Sequence, residues 1–261
     1  MHHLAARSAA SIVMGIRTQV NRVVVAVALL VLLLLVVIVD RLRDGSGRQV
    51  ACWWIRGVGR ICGVRFTVRG GDRLDPAAKY VFVPNHSSLL DIPAMLLADQ
   101  RVRFLAAAEL FRVPLLAAGM QALGTERIDR HDTGTAHRQL AVLAGEEGPR
   151  ALVVFAEGGI APLGRRRPFK TGAFVLAIES GASVVPVAIH HTSSLLPPGA
   201  NLALRPGLVI VDLLDPIPTT GCSVRRDRRV LRDRVQEAVL RRLAEEPSDD
   251  CTSARRGIVE G

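Results

Sequence analysis

Lysine is nearly absent from this chain. Only Lys79 and Lys170 are lysine among 34 basic residues, so the net charge of +10 is carried by arginine. Aromatic residues are also scarce, at 4%. Without a stacking platform or a zinc-finger pattern, the charge does not point to nucleic acid. The four cysteines, Cys52, Cys62, Cys222 and Cys251, form no CxxC pair and no Cys/His cluster of zinc spacing. They suggest neither a disulfide framework nor a metal site, and a reducing compartment is expected. No internal repeat is visible, which argues against a solenoid. What is present is hydrophobicity, at 49% of 261 residues, in a length that suits one good-sized domain plus an appendage, or two small domains.

Much of that hydrophobicity is concentrated. Val23 to Val39 is an unbroken run of seventeen apolar residues. As a helix it would be about 25 Å long, at the short end for a bilayer core of about 30 Å. The following Asp40-Arg41-Leu42-Arg43-Asp44 offers no small-residue cleavage site, so an uncleaved anchor is expected rather than a signal peptide. Arginines flank both sides and leave the orientation open. Over 51–62 a helix would gather Trp54, Val58 and Ile61 on one face and Arg56 and Arg60 on the other, which suits a membrane interface or packing on a domain. Residues 1–64 therefore read as a membrane-attachment segment, 65–245 as a catalytic domain and 246–261 as a polar, disordered tail.

From Val64 the pattern alternates. Strands are expected over 64–68, 80–84, 103–106, 151–155, 183–189 and 208–214, and helices over 89–98, 110–122, 133–146, 171–180 and 224–245. Such alternation predicts an α/β fold with a mixed, largely parallel sheet flanked by helices. The last helix has apolar Val224, Leu231, Val235, Val239 and Leu243 on one face and reads as a cover for the sheet.

One segment carries chemistry. Pro84-Asn85-His86-Ser87-Ser88-Leu89-Leu90-Asp91 follows an apolar strand and precedes a helix, where sites form in open α/β sheets. His86 at the turn and Asp91 one helical turn on can face each other, the carboxylate orienting the imidazole as it takes a proton. About 0.4 His-x4-Asp pairs are expected by chance in a chain of this composition, so the spacing alone is weak. His190-His191 lacks a partner pattern and reads as surface or capping residues rather than metal ligands.

The surrounding motifs strengthen it. NHSSLLD resembles the NHxSxxD block of the glycerolipid acyltransferases, the 1-acyl-sn-glycerol-3-phosphate (lysophosphatidate) acyltransferase family. Further segments resemble that family's later blocks in the same order: Glu109–Pro114 with Gly124–Arg130, then Val153–Gly159, Phe169–Ala173 and Val185–Val187. The resemblance spans about residues 60 to 215 and implies a glycerolipid-acyltransferase-like fold. It implies acyl transfer from acyl-CoA or acyl-carrier protein to the hydroxyl of a lysophosphatidate-like acceptor, with membrane lipids as partners. No cofactor, metal or nucleic acid is implied, and the expected location is the cell membrane with the catalytic domain on the cytoplasmic side. His86 corresponds to the general base and Asp91 to its orienting partner. Arg130 corresponds to a phosphate-binding arginine, and Glu157, Gly158, Gly159 and Lys170 to the substrate-binding wall. Backbone N–H groups around Asn85–Ser88, or nearby side chains, are candidates for the oxyanion donors. A serine nucleophile at Ser87 or Ser88 is disfavoured, because a side chain adjacent to His86 is poorly aimed at its ring.

The chain departs from the family at three positions. Ala156, Gly159 and Ile160 stand where Pro, Thr and a second phosphate-binding Arg are usual. Arg165-Arg166-Arg167 or Lys170 are the available replacements for that charge, and an acceptor without phosphate would need none. A lyso-ornithine lipid, another lysophospholipid or a glycolipid is the alternative acceptor. A thioesterase or a non-catalytic lipid-binding protein are the readings from other classes.

Overall fold

The structure, a computed structural model, describes residues 2–42, 46–129, 138–139, 142–143, 145, 150–162 and 164–245. The tail expected over 246–261, Cys251 and most of the helix expected over 133–146 lie outside the described residues. Seven strands form one sheet: β1 (Val64–Arg69), β2 (Lys79–Pro84), β3 (Val102–Ala107), β4 (Glu126–Ile128), β5 (Arg150–Val153), β6 (Ser183–His190) and β7 (Gly207–Leu213). Their order is β1-β7-β6-β2-β5-β3-β4. Neighbours pair in parallel except β6 with β7, so the sheet is mixed and largely parallel.

Helices cover both faces, which is why the central strands read as continuous apolar runs. On β2, Tyr80 and Phe82 enter one core with Val153, Val187 and Val211. Val81 and Val83 enter the other, against Phe174 and Leu176 of α5 (Gly172–Ser180) and Leu231, Val235 and Val239 of α7 (Val224–Ala244), with the short α6 (Thr192–Leu195) between them in the chain. The apolar stripe of α7 is thus a sheet cover, as its spacing predicts. The first core is closed by α2 (Gly47–Cys62) and α3 (Asp91–Ala98). The helix expected over 110–122 splits. Val113, held extended before Pro114, separates a 3-10 turn (Ala108–Arg112) from α4 (Pro114–Ala122), which starts with proline in its first turn.

The apolar run belongs to a longer helix, α1 (His2–Leu42), of which Gln19–Leu42 is long and apolar enough to cross a membrane. It is tied to the domain by buried Asn21, whose side-chain amide donates to the Cys62 carbonyl at 3.3 Å and the Leu204 carbonyl at 3.1 Å. Arg48 of α2 donates to the carbonyls of Arg101 and Leu123 at 3.1 and 3.0 Å. The opposite face of α1 is bare: Val20, Val23, Val27, Leu30, Leu34 and Ile38 are all exposed, at helical spacing. In α2 the expected apolar face is shifted. Gly47, Ala51, Cys52, Gly59 and Cys62 are the buried positions, while Ile61 and Trp53 are exposed. Cys52, Cys62 and Cys222 form no disulfide among the described residues.

His190 departs from its surface reading. It is buried on β6, and its Nε2 lies 3.0 Å from Asp212 Oδ2 on β7, an oxygen that also accepts from Arg242 of α7 at 2.8 Å. Burial by itself raises the Asp212 pKa, but the hydrogen bonds from His190 and Arg242 outweigh it and hold the carboxyl below the usual 3.8. A lowered folded-state pKa adds stability above about pH 3.8 that is lost as pH falls through the folded value. Asp212→Asn is expected to cost about 3 kcal/mol at neutral pH, the low end for breaking a buried pair, since Arg242 keeps some contact with water. Thermal midpoints in detergent at pH 7 and pH 3 check this, and the gap between variant and wild type should narrow at the lower pH.

Candidate active site

Strand β2 delivers the site. At its C-terminal end the Asn85 side-chain amide takes over the strand ladder, donating to the Ile189 carbonyl at 3.0 Å and accepting the Ile189 N–H at 2.7 Å. The chain then turns, and His86 is set with its Nδ1 2.9 Å from Asp91 Oδ2. Asp91 opens α3, where a negative charge is favoured by the helix dipole. Its Oδ2 also accepts the N–H groups of Ser87 and Ser88 at 2.7 and 2.9 Å, and its Oδ1 accepts the Thr192 hydroxyl at 2.5 Å. Asp91 and Thr192 are fully buried. A carboxylate so surrounded is an acceptor only, which places the imidazole proton on Nδ1 and leaves the Nε2 lone pair available. The ring stacks on Phe155, with centroids 3.9 Å apart, and Phe155 in turn stacks on Phe104.

Glu157 supports the turn from beneath. Its Oε1 accepts the His86 N–H at 2.8 Å, and its carboxyl is buried. Burial pushes its pKa up, against the opposing pull of the His86 and Arg167 backbone N–H groups. The chain then passes through Gly158 and Gly159, at φ of 74° and 154°. A methyl group on Gly158 would lie 2.7 Å from Lys170 Nζ, and one on Gly159 would lie 3.4 Å from Arg167 Nη1. The two glycines thus admit two cations against one turn.

His86 lies where two cavities meet. The first, about 980 Å³, runs between the sheet and α1, α2 and α4, with walls such as Leu33, Trp54, Met120 and Phe155. It reaches Gly158, Gly159 and Lys170. The second, about 610 Å³, is the more polar of the two and includes Arg165, Arg166, Arg167, His191 and Gln236. Apolar chain on one side, charged group on the other and an oriented imidazole between them is an arrangement for chemistry at the junction of a lipid tail and a polar headgroup.

The chain is similar to known proteins. A family model described as Acyltransferase matches residues 65–190. The chain is 29% identical to human 1-acyl-sn-glycerol-3-phosphate acyltransferase beta over 232 residues, covering 85% of this chain and 82% of that one. It is 31% identical over 158 residues to a 1-acyl-sn-glycerol-3-phosphate acyltransferase of Chlamydomonas reinhardtii, covering 59% of this chain and 47% of that one. The chain therefore spans about half the length of that algal relative. The crystal structure of the 1-acyl-sn-glycerophosphate acyltransferase PlsC from Thermotoga maritima matches with a TM-score of 0.72 and 26% identity, covering 89% of this chain and 97% of that one.

Residues 65–190 are an acyltransferase domain, and the chain is similar to the 1-acyl-sn-glycerol-3-phosphate acyltransferases.

In this acyltransferase, His86, Asp91, Glu157, Gly158, Gly159 and Lys170 are brought together around one turn, while Arg130 lies outside the described residues. Glu157 both lines the second cavity and holds the His86 backbone. Of the expected oxyanion donors, the N–H groups of His86, Ser87 and Ser88 are already taken by Glu157 and Asp91. The serine hydroxyls are engaged as well, Ser88 donating to the Leu196 carbonyl at 2.7 Å and Ser87 pairing with Thr192 at 3.1 Å. Thr192 and Phe155 are functional neighbours that the motif reading missed. Phe155 stood inside a quoted block, but Thr192 had only its position just past β6 to signal it.

Proposed function

We propose that this acyltransferase is membrane-bound and moves a fatty acyl group from a thioester, acyl-CoA or acyl-carrier protein, to the free hydroxyl of lysophosphatidate, giving phosphatidate. The observation that carries this reading is His86, fixed through Nδ1 and placed between an apolar and a basic cavity. Nε2 takes the acceptor's hydroxyl proton as its oxygen attacks the thioester carbonyl. The tetrahedral intermediate then collapses, the carbon–sulfur bond breaks, and the imidazolium returns the proton to the departing thiolate. The donors left for the oxyanion are Lys170 and the N–H groups of Gly159 and Ile160, on the wall of the apolar cavity. Among the described residues no cluster of three His, Cys, Asp or Glu is placed to hold a metal ion.

The exposed apolar stripe of α1 supports membrane attachment, and 24 helical residues reach about 36 Å, enough to cross a bilayer core of about 30 Å. The apolar cavity opens between α1, α2 and the sheet, where an acyl chain can pass from lipid to His86. The catalytic domain is assigned to the cytoplasmic side, where acyl thioesters are made.

The test is an acceptor screen with a labelled acyl thioester and the purified full-length protein in detergent. Labelled phosphatidate is expected with lysophosphatidate, and no free fatty acid without an acceptor. Release of free acid independent of acceptor would instead identify a thioesterase. Ile160 and Gly159 favour a second reading, an acceptor such as a lyso-ornithine lipid, which the same screen separates.

A further inference from the structure

We infer that Arg167 is the residue that selects a phosphate-bearing acceptor, holding in space the charge that position 160 lacks. This rests on the acyl transfer proposed above and names the group that reads the acceptor. Ile160 is apolar and sits on the wall of the apolar cavity, so the Glu157–Ile160 turn itself supplies no cation. Arg167 supplies one from seven residues further on. Its guanidinium lies against Gly159, where a side chain at 159 would come within 3.4 Å of Nη1, and it lines the polar cavity that ends at His86.

The loop carrying Arg167 is pinned at both ends to the site. The Ala161 N–H donates to the His86 carbonyl at 3.0 Å, the Phe169 N–H to Gln236 Oε1 at 2.7 Å, and the Lys170 N–H to the Ala156 carbonyl at 2.8 Å. Its position relative to the base is therefore fixed by backbone contacts on both sides. Among the described residues the Arg167 side chain has no hydrogen bond or ion pair. Glu157, the one carboxyl group among the described residues lining that cavity, is turned onto the His86 backbone. A planar guanidinium left unpaired beside a catalytic base suits bidentate binding of a phosphate monoester. The glycine turn then divides two charges: Lys170 over Gly158 faces the apolar cavity and the reacting carbonyl, and Arg167 over Gly159 faces the polar cavity and the headgroup.

The experiment measures steady-state kinetics of the full-length protein in detergent, with labelled acyl-CoA as donor and lysophosphatidate or monoacylglycerol as acceptor. The two acceptors differ by the phosphate alone. Arg167→Ala is expected to raise the KM for lysophosphatidate about 10–100-fold, the scale of a lost charge-assisted contact. The kcat, the KM for acyl-CoA and the rate with monoacylglycerol should stay unchanged. Arg167→Lys should fall between, since a point charge keeps attraction without the fork. Arg225→Ala, exposed on α7, should alter none of these constants and controls for general charge. An unchanged lysophosphatidate KM in Arg167→Ala overturns the assignment, and so does a raised acyl-CoA KM in its place, which would give this cation to the donor's phosphates. Neither outcome touches the acyl-transfer reading, which fails separately if the unmodified protein acylates no lysolipid.

Discussion

His86→Ala is expected to lower kcat by about 10²–10⁴-fold, the contribution of a positioned general base, with acceptor and donor KM values nearly unchanged. The split follows from geometry. The imidazole touches the reacting hydroxyl, whereas the acyl chain is held by the apolar cavity and the headgroup by the polar one. Removing the ring therefore raises the transition state without loosening ground-state binding. Folding should tolerate the change. The His86 backbone contacts to Glu157 and Ala161 do not depend on the side chain, and the vacated space adjoins two existing cavities. Initial rates with labelled acyl thioester, read beside the thermal midpoint, test this. A variant that keeps more than about a tenth of wild-type kcat has lost less than any general base contributes, and His86 is then not the base.

Parts of this site were legible in the chain for identifiable reasons. β2 and β6 announce themselves because both faces are buried, so their residues are apolar without alternation. His86 and Asp91 were legible because one turn of chain connects them. What was hidden depends on sheet order. Thr192 reaches Asp91 across 101 residues only because β6 lies beside β2, and no local pattern encodes that adjacency. The buried group of His190, Asp212 and Arg242 likewise needs β6, β7 and α7 to meet, and the antiparallel turn from β6 to β7 has no period of its own. β4 escaped notice because three residues, Glu126 to Ile128, are too few to show alternation. The backbone part of the oxyanion expectation is corrected at His86, Ser87 and Ser88 for a different reason. Free N–H groups at a strand-to-helix turn look available in sequence, but a carboxylate that must hold a histidine also gathers the N–H groups beside it.

That gathering sets the outcome expected for Asp91→Asn. Oδ2 accepts three donors, from Ser87, Ser88 and His86, while Oδ1 accepts one, from Thr192. An asparagine satisfies the turn only with its carbonyl oxygen in the Oδ2 place, which puts its NH2 against the Thr192 hydroxyl. A hydroxyl can reverse and accept, so the fold survives and His86 keeps its Nδ1–H partner. What is lost is the negative charge that stabilises the imidazolium. The expected result is a fall in kcat of about 10²–10⁴-fold, the upper value being that of triads in which the same change also switches the tautomer. The thermal midpoint should move little. Thr192→Val separates charge from orientation. Alone, it leaves Oδ1 without a donor but keeps the charge, so kcat should drop far less than in Asp91→Asn. Combined with Asp91→Asn, it leaves the asparagine NH2 buried against a methyl, which adds about 1–3 kcal/mol of destabilisation beyond the sum of the single changes. Thermal midpoints and kcat for the two single variants and the double check both halves. Purely additive midpoints would mean that Thr192 does not hold the residue at 91, and near-normal kcat in Asp91→Asn would mean that the imidazolium needs no carboxylate charge.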